Sequence, residues 1–162
     1  MSQDIGINNI TISAISHATE DEDKVLEAMV YFLPEEIIND EEGDNSIDIN
    51  TIDSKGCFGN PIHIHEISIN NNKINKRIFK HIMQLIKSSE NNINKLKKDI
   101  DLRIEKSKIY LRFDKQRAYL KECKLVDGDD VVRVVINFKI YVPKNKEQRV
   151  KEIILNELED KA

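Results

Sequence analysis

Two periodicities divide this chain, and their order limits what it can fold into. Between Ile74 and Ile104 the apolar residues recur at helical spacing: Ile74, Ile78, Ile82, Leu85 and Ile86, then Ile93, Leu96, Ile100 and Ile104. Ser88-Ser-Glu-Asn-Asn92 interrupts the run, so the spacing predicts two amphipathic helices, over 73–87 and 93–104. On either side the period falls to two. Ile10-Thr-Ile-Ser-Ala-Ile15 predicts a strand near 8–16, Ser46–Asp53 an imperfect second, and Ile62-His-Ile-His-Glu-Ile67-Ser-Ile69 a third. In the third, Ile62, Ile64 and Glu66 share one face and His63, His65 and Ile67 the other, with a bulge expected where the phase slips at Glu66-Ile67. Ile109-Tyr-Leu-Arg-Phe113 predicts a fourth strand. Ala118–Val126 and Val131–Val142, separated by Asp127-Gly-Asp-Asp130, predict a hairpin of two more.

Helical signals occur at two further places. Thr19-Glu-Asp-Glu22 fits a capping box with Thr19 as N-cap, opening a helix that runs to about Leu33 and stops at Pro34. After Pro143, Val150, Ile153, Ile154 and Leu158 form one face of a closing helix. Several strands follow one another without an intervening helix, which requires a mixed or largely antiparallel sheet covered by helices on one face. The expected fold is a two-layer α+β domain spanning 1–162.

Charge is distributed as unevenly as periodicity. From Lys73 to Lys124 there are 16 Lys/Arg against 6 Asp/Glu, whereas residues 1–72 hold 2 basic and 15 acidic residues. The net charge of −4 therefore hides a strongly polar molecule. A basic segment of that density can follow a phosphate backbone, and the acidic first half would repel one. Lys-rich helices are also commonly just solvated, so charge alone leaves both readings open.

Other classes find no support. No run approaches the roughly 20 apolar residues of a membrane helix. The start MSQDIGINNI has neither a basic nor an apolar signal region, so a cytoplasmic location is expected. Cys57 and Cys123 are isolated thiols without metal spacing. The segment 39–48 is acidic and turn-rich, but Asn45 stands where an EF-hand needs glycine. Glu20-Asp-Glu-Asp23 reads as carboxylates at a helix start, not as a metal cluster. His63 and His65 share a strand face, a geometry that holds zinc if His17 converges, yet no spacing rule brings His17 there. No catalytic motif is present, and no cofactor or metal is expected. Aromatic residues make up 6 % and tryptophan is absent, which counts against an RRM-like or OB-like sheet whose rings stack on bases.

The densest constellation is Arg112-Phe-Asp-Lys-Gln-Arg117. On a strand, Arg112 and Asp114 share a face, and Lys115, Gln116 and Arg117 follow at the strand end, where side chains converge on a phosphate or a 2′-hydroxyl. Asp114 could orient Arg112 or Arg117, and a purely structural ion-pair corner is the competing reading. Three stretches, Ser16-His-Ala-Thr-Glu-Asp-Glu-Asp-Lys-Val25, Gly59-Asn-Pro-Ile62 and Tyr110-Leu-Arg-Phe-Asp-Lys-Gln-Arg-Ala-Tyr-Leu120, together resemble an archaeal family. Its members are described as predicted RNA-binding proteins or exosome subunits with the fold of the 5S-rRNA-binding ribosomal protein. The resemblance implies a two-layer α+β domain, RNA as ligand and no known catalysis. It carries over Gly59 to Pro61 and Phe113 to Gln116 as signature loops.

The reading is a non-catalytic RNA-binding protein, an accessory factor in archaeal RNA processing or degradation. Lys73, Lys76, Arg77 and Lys80 are expected to form one basic helix face, with Arg112, Lys115, Gln116 and Arg117 at the neighbouring strand end. Protein subunits of an RNA-processing complex are the other expected partners. The rival readings are a protein–protein adaptor using the acidic first half, and, more remotely, a metal-dependent hydrolase built on His17, His63 and His65.

Overall fold

Alternation within the first strand decides which side of the sheet becomes the core. In the computed structural model, which describes residues 5–38, 47–55, 61–142 and 144–159, β1 (Ile7–His17) buries Ile10, Ile12, Ala14 and Ser16 and turns Thr11, Ser13 and Ile15 to the other side. The same rule runs through β3 (Pro61–Ile69), β5 (Lys108–Asp114) and β6 (Val131–Phe138), which bury Ile67 and Ile69, Ile109, Leu111 and Phe113, and Val132, Val134 and Ile136. With β2 (Ile47–Lys55) and the short β4 (Ile104–Glu105), these form an antiparallel sheet of order β2-β3-β1-β6-β5-β4. Helices α1 (Glu22–Val30), α2 (Glu35–Ile38), α3 (Asn72–Lys87), α4 (Glu90–Arg103), α5 (Lys115–Tyr119) and α6 (Lys146–Glu159) complete the described elements. One apolar cluster joins the inner sheet face to α1, α3, α4 and α6, leaving the opposite sheet face open. This is the expected two-layer α+β architecture, with the sheet wholly antiparallel.

The helix stripes fill the core as their spacing predicts. Ile78, Phe79, Ile82, Met83 and Ile86 of α3 are essentially inaccessible, as are Leu96 and Ile100 of α4. Phe79 meets Phe138 edge-on at 5.4 Å between ring centres, and Phe32 lies 4.5 Å from Phe113. Truncating such a buried ring to alanine typically costs about 3–5 kcal/mol. Asn92 ties α4 to the segment before β6: its amide donates to Cys123 O (2.7 Å) and its carbonyl oxygen accepts from Leu125 N (3.1 Å).

Three local expectations are corrected. The cap of α1 is Asp21, whose carboxylate accepts from Asp23 N at 2.9 Å, and not Thr19. Glu20 instead folds back to accept from His17 N (3.0 Å). The bulge expected at Glu66-Ile67 is absent, because β1 and β3 pair without interruption from Ile10↔Ile69 to His17↔Ile62. The apparent phase slip arises because His65 is a polar residue on the inner face, its ring nitrogens 3.1 Å from Ser16 Oγ and 3.1 Å from Thr51 Oγ1. The register shift lies at Ile7/Asn9, between β1 and β6. Finally, Ala118–Val126 is no strand. Asp114 caps α5 by accepting from Arg117 N (3.0 Å), the helix closes with Lys121 at a positive φ of 65°, and only Leu125 bridges back to Phe113. Residues 39–46, most of the segment read as an acidic loop, and 56–60, which include Cys57 and most of the Gly59–Pro61 signature, lie outside the described residues.

Candidate nucleic-acid interface

Helix α3 is fixed at its start by three asparagines. Asn71 caps it by accepting from Ile74 N (3.1 Å), Asn72 accepts from Ile7 N (2.8 Å), and Asn75 donates to Ile7 O. With its apolar stripe buried, the helix must turn its remaining residues outward. Lys73, Arg77 and Lys80 are exposed and Lys76 is half-buried beside them, so the four expected cations share one face. The sequence of α3 contains no Asp or Glu. Neighbouring elements temper its charge: Arg77 pairs with Glu36 (3.4 Å) and Lys80 with Glu157 of α6. Lys76, Arg77 and Lys80 line one wall of a groove of about 570 Å³ whose other wall is Pro34 to Glu36.

The strand-end residues divide differently. Lys115 is buried, with its ammonium donating to Ile15 O (2.8 Å) and Glu20 Oε1 (2.9 Å) and lying 2.6 Å from Asp130 Oδ1. It is therefore an internal structural cation and is not presented to a ligand, as the sequence reading had supposed. Burial raises the pKa of Glu20 and Asp130, but their bonds to Lys115 outweigh it and hold both carboxylates below their ordinary values. Gln116 is exposed and bonds Asp130, and Arg117 is exposed and pairs with Glu122 (3.0 Å). Asp114 is used by the backbone of α5, not by either arginine.

Arg112 lies on the open face of the sheet, since its neighbours Leu111 and Phe113 point into the core. The basic side of α3 points away from the sheet on the opposite layer. Arg112 and the cations of α3 therefore lie on different faces of the molecule. On the open face, Arg133 stands directly opposite Arg112. Sequence reasoning passed over Arg133, although a lone cation in the run Val131-Val-Arg-Val-Val-Ile136 signals an outward position.

The histidines do not converge either. His17 follows Ile15 to the side opposite Ser16, and lies with Glu20 and Asp130 close enough for a metal. Those two carboxylates already hold the Lys115 ammonium. His63 is held between Asp53 (2.5 Å) and Glu22 (3.0 Å), and His65 is buried, which pushes its pKa below the ordinary value. The trio behind the hydrolase reading is not assembled. Among the described residues, no helix is long and apolar enough to cross a membrane.

A family model described as RNA binding matches residues 9–138, from within β1 to the end of β6. The chain belongs to this RNA-binding family. It is 58 % identical over 152 residues to an uncharacterised protein of Methanocaldococcus jannaschii, covering 94 % of this chain and 98 % of that one. It is 34 % identical over 148 residues to a Pyrococcus abyssi protein named as RNA-binding, covering 90 % of each. A crystal structure of a DUF54 protein from Archaeglobus fulgidus superposes with a TM-score of 0.73 at 27 % identity, over 93 % of this chain and 99 % of that chain. These relatives are archaeal, as the sequence motifs suggested.

Proposed function

We propose that this chain is a non-catalytic RNA-binding protein that recognises shape and phosphate backbone more than base sequence. The observation that carries the reading is α3: a helix with Lys73, Lys76, Arg77 and Lys80 on one outward face and no carboxylate of its own. Helices that merely need solvation usually interleave Glu with Lys at i,i+4, which stabilises them, and α3 forgoes that support. A row of cations at helical pitch suits successive phosphates, and membership of an RNA-binding family favours RNA as their source. Gln116 and Arg117 at the start of α5 supply a second point of contact, while Lys115 holds that corner in place. The protein works as one domain over 1–162, in the cytoplasm, as an accessory factor beside protein subunits of an RNA-processing or RNA-degrading complex.

A filter-binding titration with duplex and single-stranded RNA over a salt series tests this. Affinity should fall log-linearly with salt, by a slope of about −0.7 to −0.9 per phosphate contact. Reversing Lys73, Lys76 and Arg77 to Glu should weaken binding to unrelated sequences alike and flatten the slope by about two to three contacts. Absence of RNA binding at low salt, with retention of a protein partner lost on Glu35→Lys, would favour the adaptor reading instead.

A further inference from the structure

The open face of the sheet carries a feature that the basic helix does not account for. Arg112 and Arg133 are directly opposed across β5 and β6, and like charges in that position destabilise a sheet. Neither is neutralised in a manner that would explain the pairing. Arg112 reaches the carbonyl oxygens of Asp127 and Gly128 only at 3.3 and 3.4 Å, and Asp129 at 3.9 Å. Arg133 is exposed, and no ion pair or hydrogen bond joins its side chain to another described residue. One pleat further along, Tyr110 opposes Val135 on the same face and is the only aromatic residue of these two strands to point there. Next to Arg133 and Val135 in β1 stand Ser13 and Thr11, short hydroxyl residues that leave the face unobstructed.

Tyr110, Arg112, Arg133 and Val135 line a cleft of about 740 Å³, closed at its outer edge by Leu102 and Arg103 from the end of α4. Two carboxylates at that edge are already engaged. Asp127 is bound by Lys95 (2.8 Å) and Arg103 (2.7 Å), and Asp99 by Lys95 (3.1 Å). Glu105 at the rim remains, set against the two opposed arginines. We infer that the open face of β5 and β6 seats an unpaired RNA nucleotide, its phosphate between Arg112 and Arg133 and its base stacked on Tyr110. A phosphate between the two guanidinium groups turns a mutual repulsion into two charge-assisted contacts, and a tyrosine ring accepts any base on its face. Only unpaired bases are free to stack in this way, so the open face selects single strands while α3 follows backbone of either kind. An acidic peptide would satisfy the arginines but leave the ring without its partner.

The inference rests on the RNA-binding reading, and the experiment separates the two. A fluorescent decamer of uridine and a fluorescent blunt-ended RNA duplex are each titrated into the wild type and into Tyr110→Ala, Tyr110→Phe and Arg133→Ala. Tyr110→Ala should weaken decamer binding about tenfold, Tyr110→Phe should restore most of it, and Arg133→Ala should lower the decamer salt slope by about one contact. Duplex affinity should be unchanged in all three, which also reports that they are folded. Wild-type decamer affinity in Tyr110→Ala and Arg133→Ala overturns this inference and leaves the proposed function standing. Displacement of the decamer by an oligoglutamate peptide as readily as by unlabelled decamer overturns it too. If the wild type binds neither RNA, the proposed function itself falls.

Discussion

The ammonium of Lys115 donates a 2.8 Å hydrogen bond to the carbonyl of Ile15, tying the first residue of α5 to the end of the central strand. Glu20 and Asp130 complete its surroundings, so three segments remote in sequence meet at one buried charge. Two of the three motifs that marked the family in the sequence, the one after Ser16 and the one around Phe113, are thereby parts of a single joint.

Removing that charge should be expensive. Lys115→Ala leaves a cavity and two neighbouring carboxylates without their cation, and is expected to lower stability by about 3 kcal/mol, near the low end for breaking a buried pair because Asp130 stays partly solvated. Urea unfolding checks this. A loss below about 1 kcal/mol would mean that water replaces the contacts.

Stability should fall on acidification in two steps. Burial lowers the pKa of His65 from 6.5, with the charge of Glu22 opposing the shift and His63 adding to it. The folded protein thus keeps this ring neutral where the unfolded chain takes up a proton, and stability is lost as pH drops below about 6.5. For Glu20 and Asp130, burial raises the pKa, but bonds to Lys115 prevail and place both below their ordinary 4.5 and 3.8. Their contribution is complete above those values and is lost as pH falls through the lower folded ones. Denaturation midpoints from pH 7 to 3 should show both limbs, with His65→Gln removing the upper and Glu20→Gln reducing the lower. A flat profile down to pH 4 contradicts the first step.

Asp21→Ala is expected to cost about 1 kcal/mol by freeing an N–H in the first turn of α1. Thr19→Ala, made in parallel, should leave the thermal midpoint within experimental error. The reverse order would restore Thr19 as the cap.

Cys123 should react slowly. Burial pushes its thiol up to about 12, so almost no thiolate exists near neutrality. In a Cys57→Ser background, alkylation by iodoacetamide at pH 8 should be far slower in buffer than in denaturant. Equal rates would show that the thiol is open to solvent in the native state.

How much of this was legible in the chain depends on what holds each element. Helices α3 and α4 and strands β1, β3 and β5 rest on strong apolar repeats such as Ile78, Ile82 and Ile86, and periodicity found them. Helix α5 rests on the Asp114 cap and the distant contacts of Lys115, neither of which leaves a periodic trace, so Ala118–Val126 read as a strand. Thr19 and Asp21 are both good caps, and only the turn of Glu20 back to His17 chooses between them. For the interface, the four cations of α3 were visible as a helix face. Their separation from Arg112 was not, because it follows from which side of the sheet the helices cover. The partnership of Arg112 with Arg133 needs the adjacency of β5 and β6 in this register.

The position of β1 has a consequence for synthesis. Its two neighbours are β3, made soon after it, and β6, made far downstream, with Ile10 pairing Ile69 on one side and Ile136 on the other. A growing chain can zip β1 to β3 early, yet the other edge of β1 stays bare until β6 leaves the ribosome. Bare edges of this kind recruit strands from other chains, and contacts so distant in sequence form slowly. Nascent chains interrupted before Val131 should therefore cling to one another or to chaperones, and the vulnerable moment in the life of this protein falls before its sheet is complete.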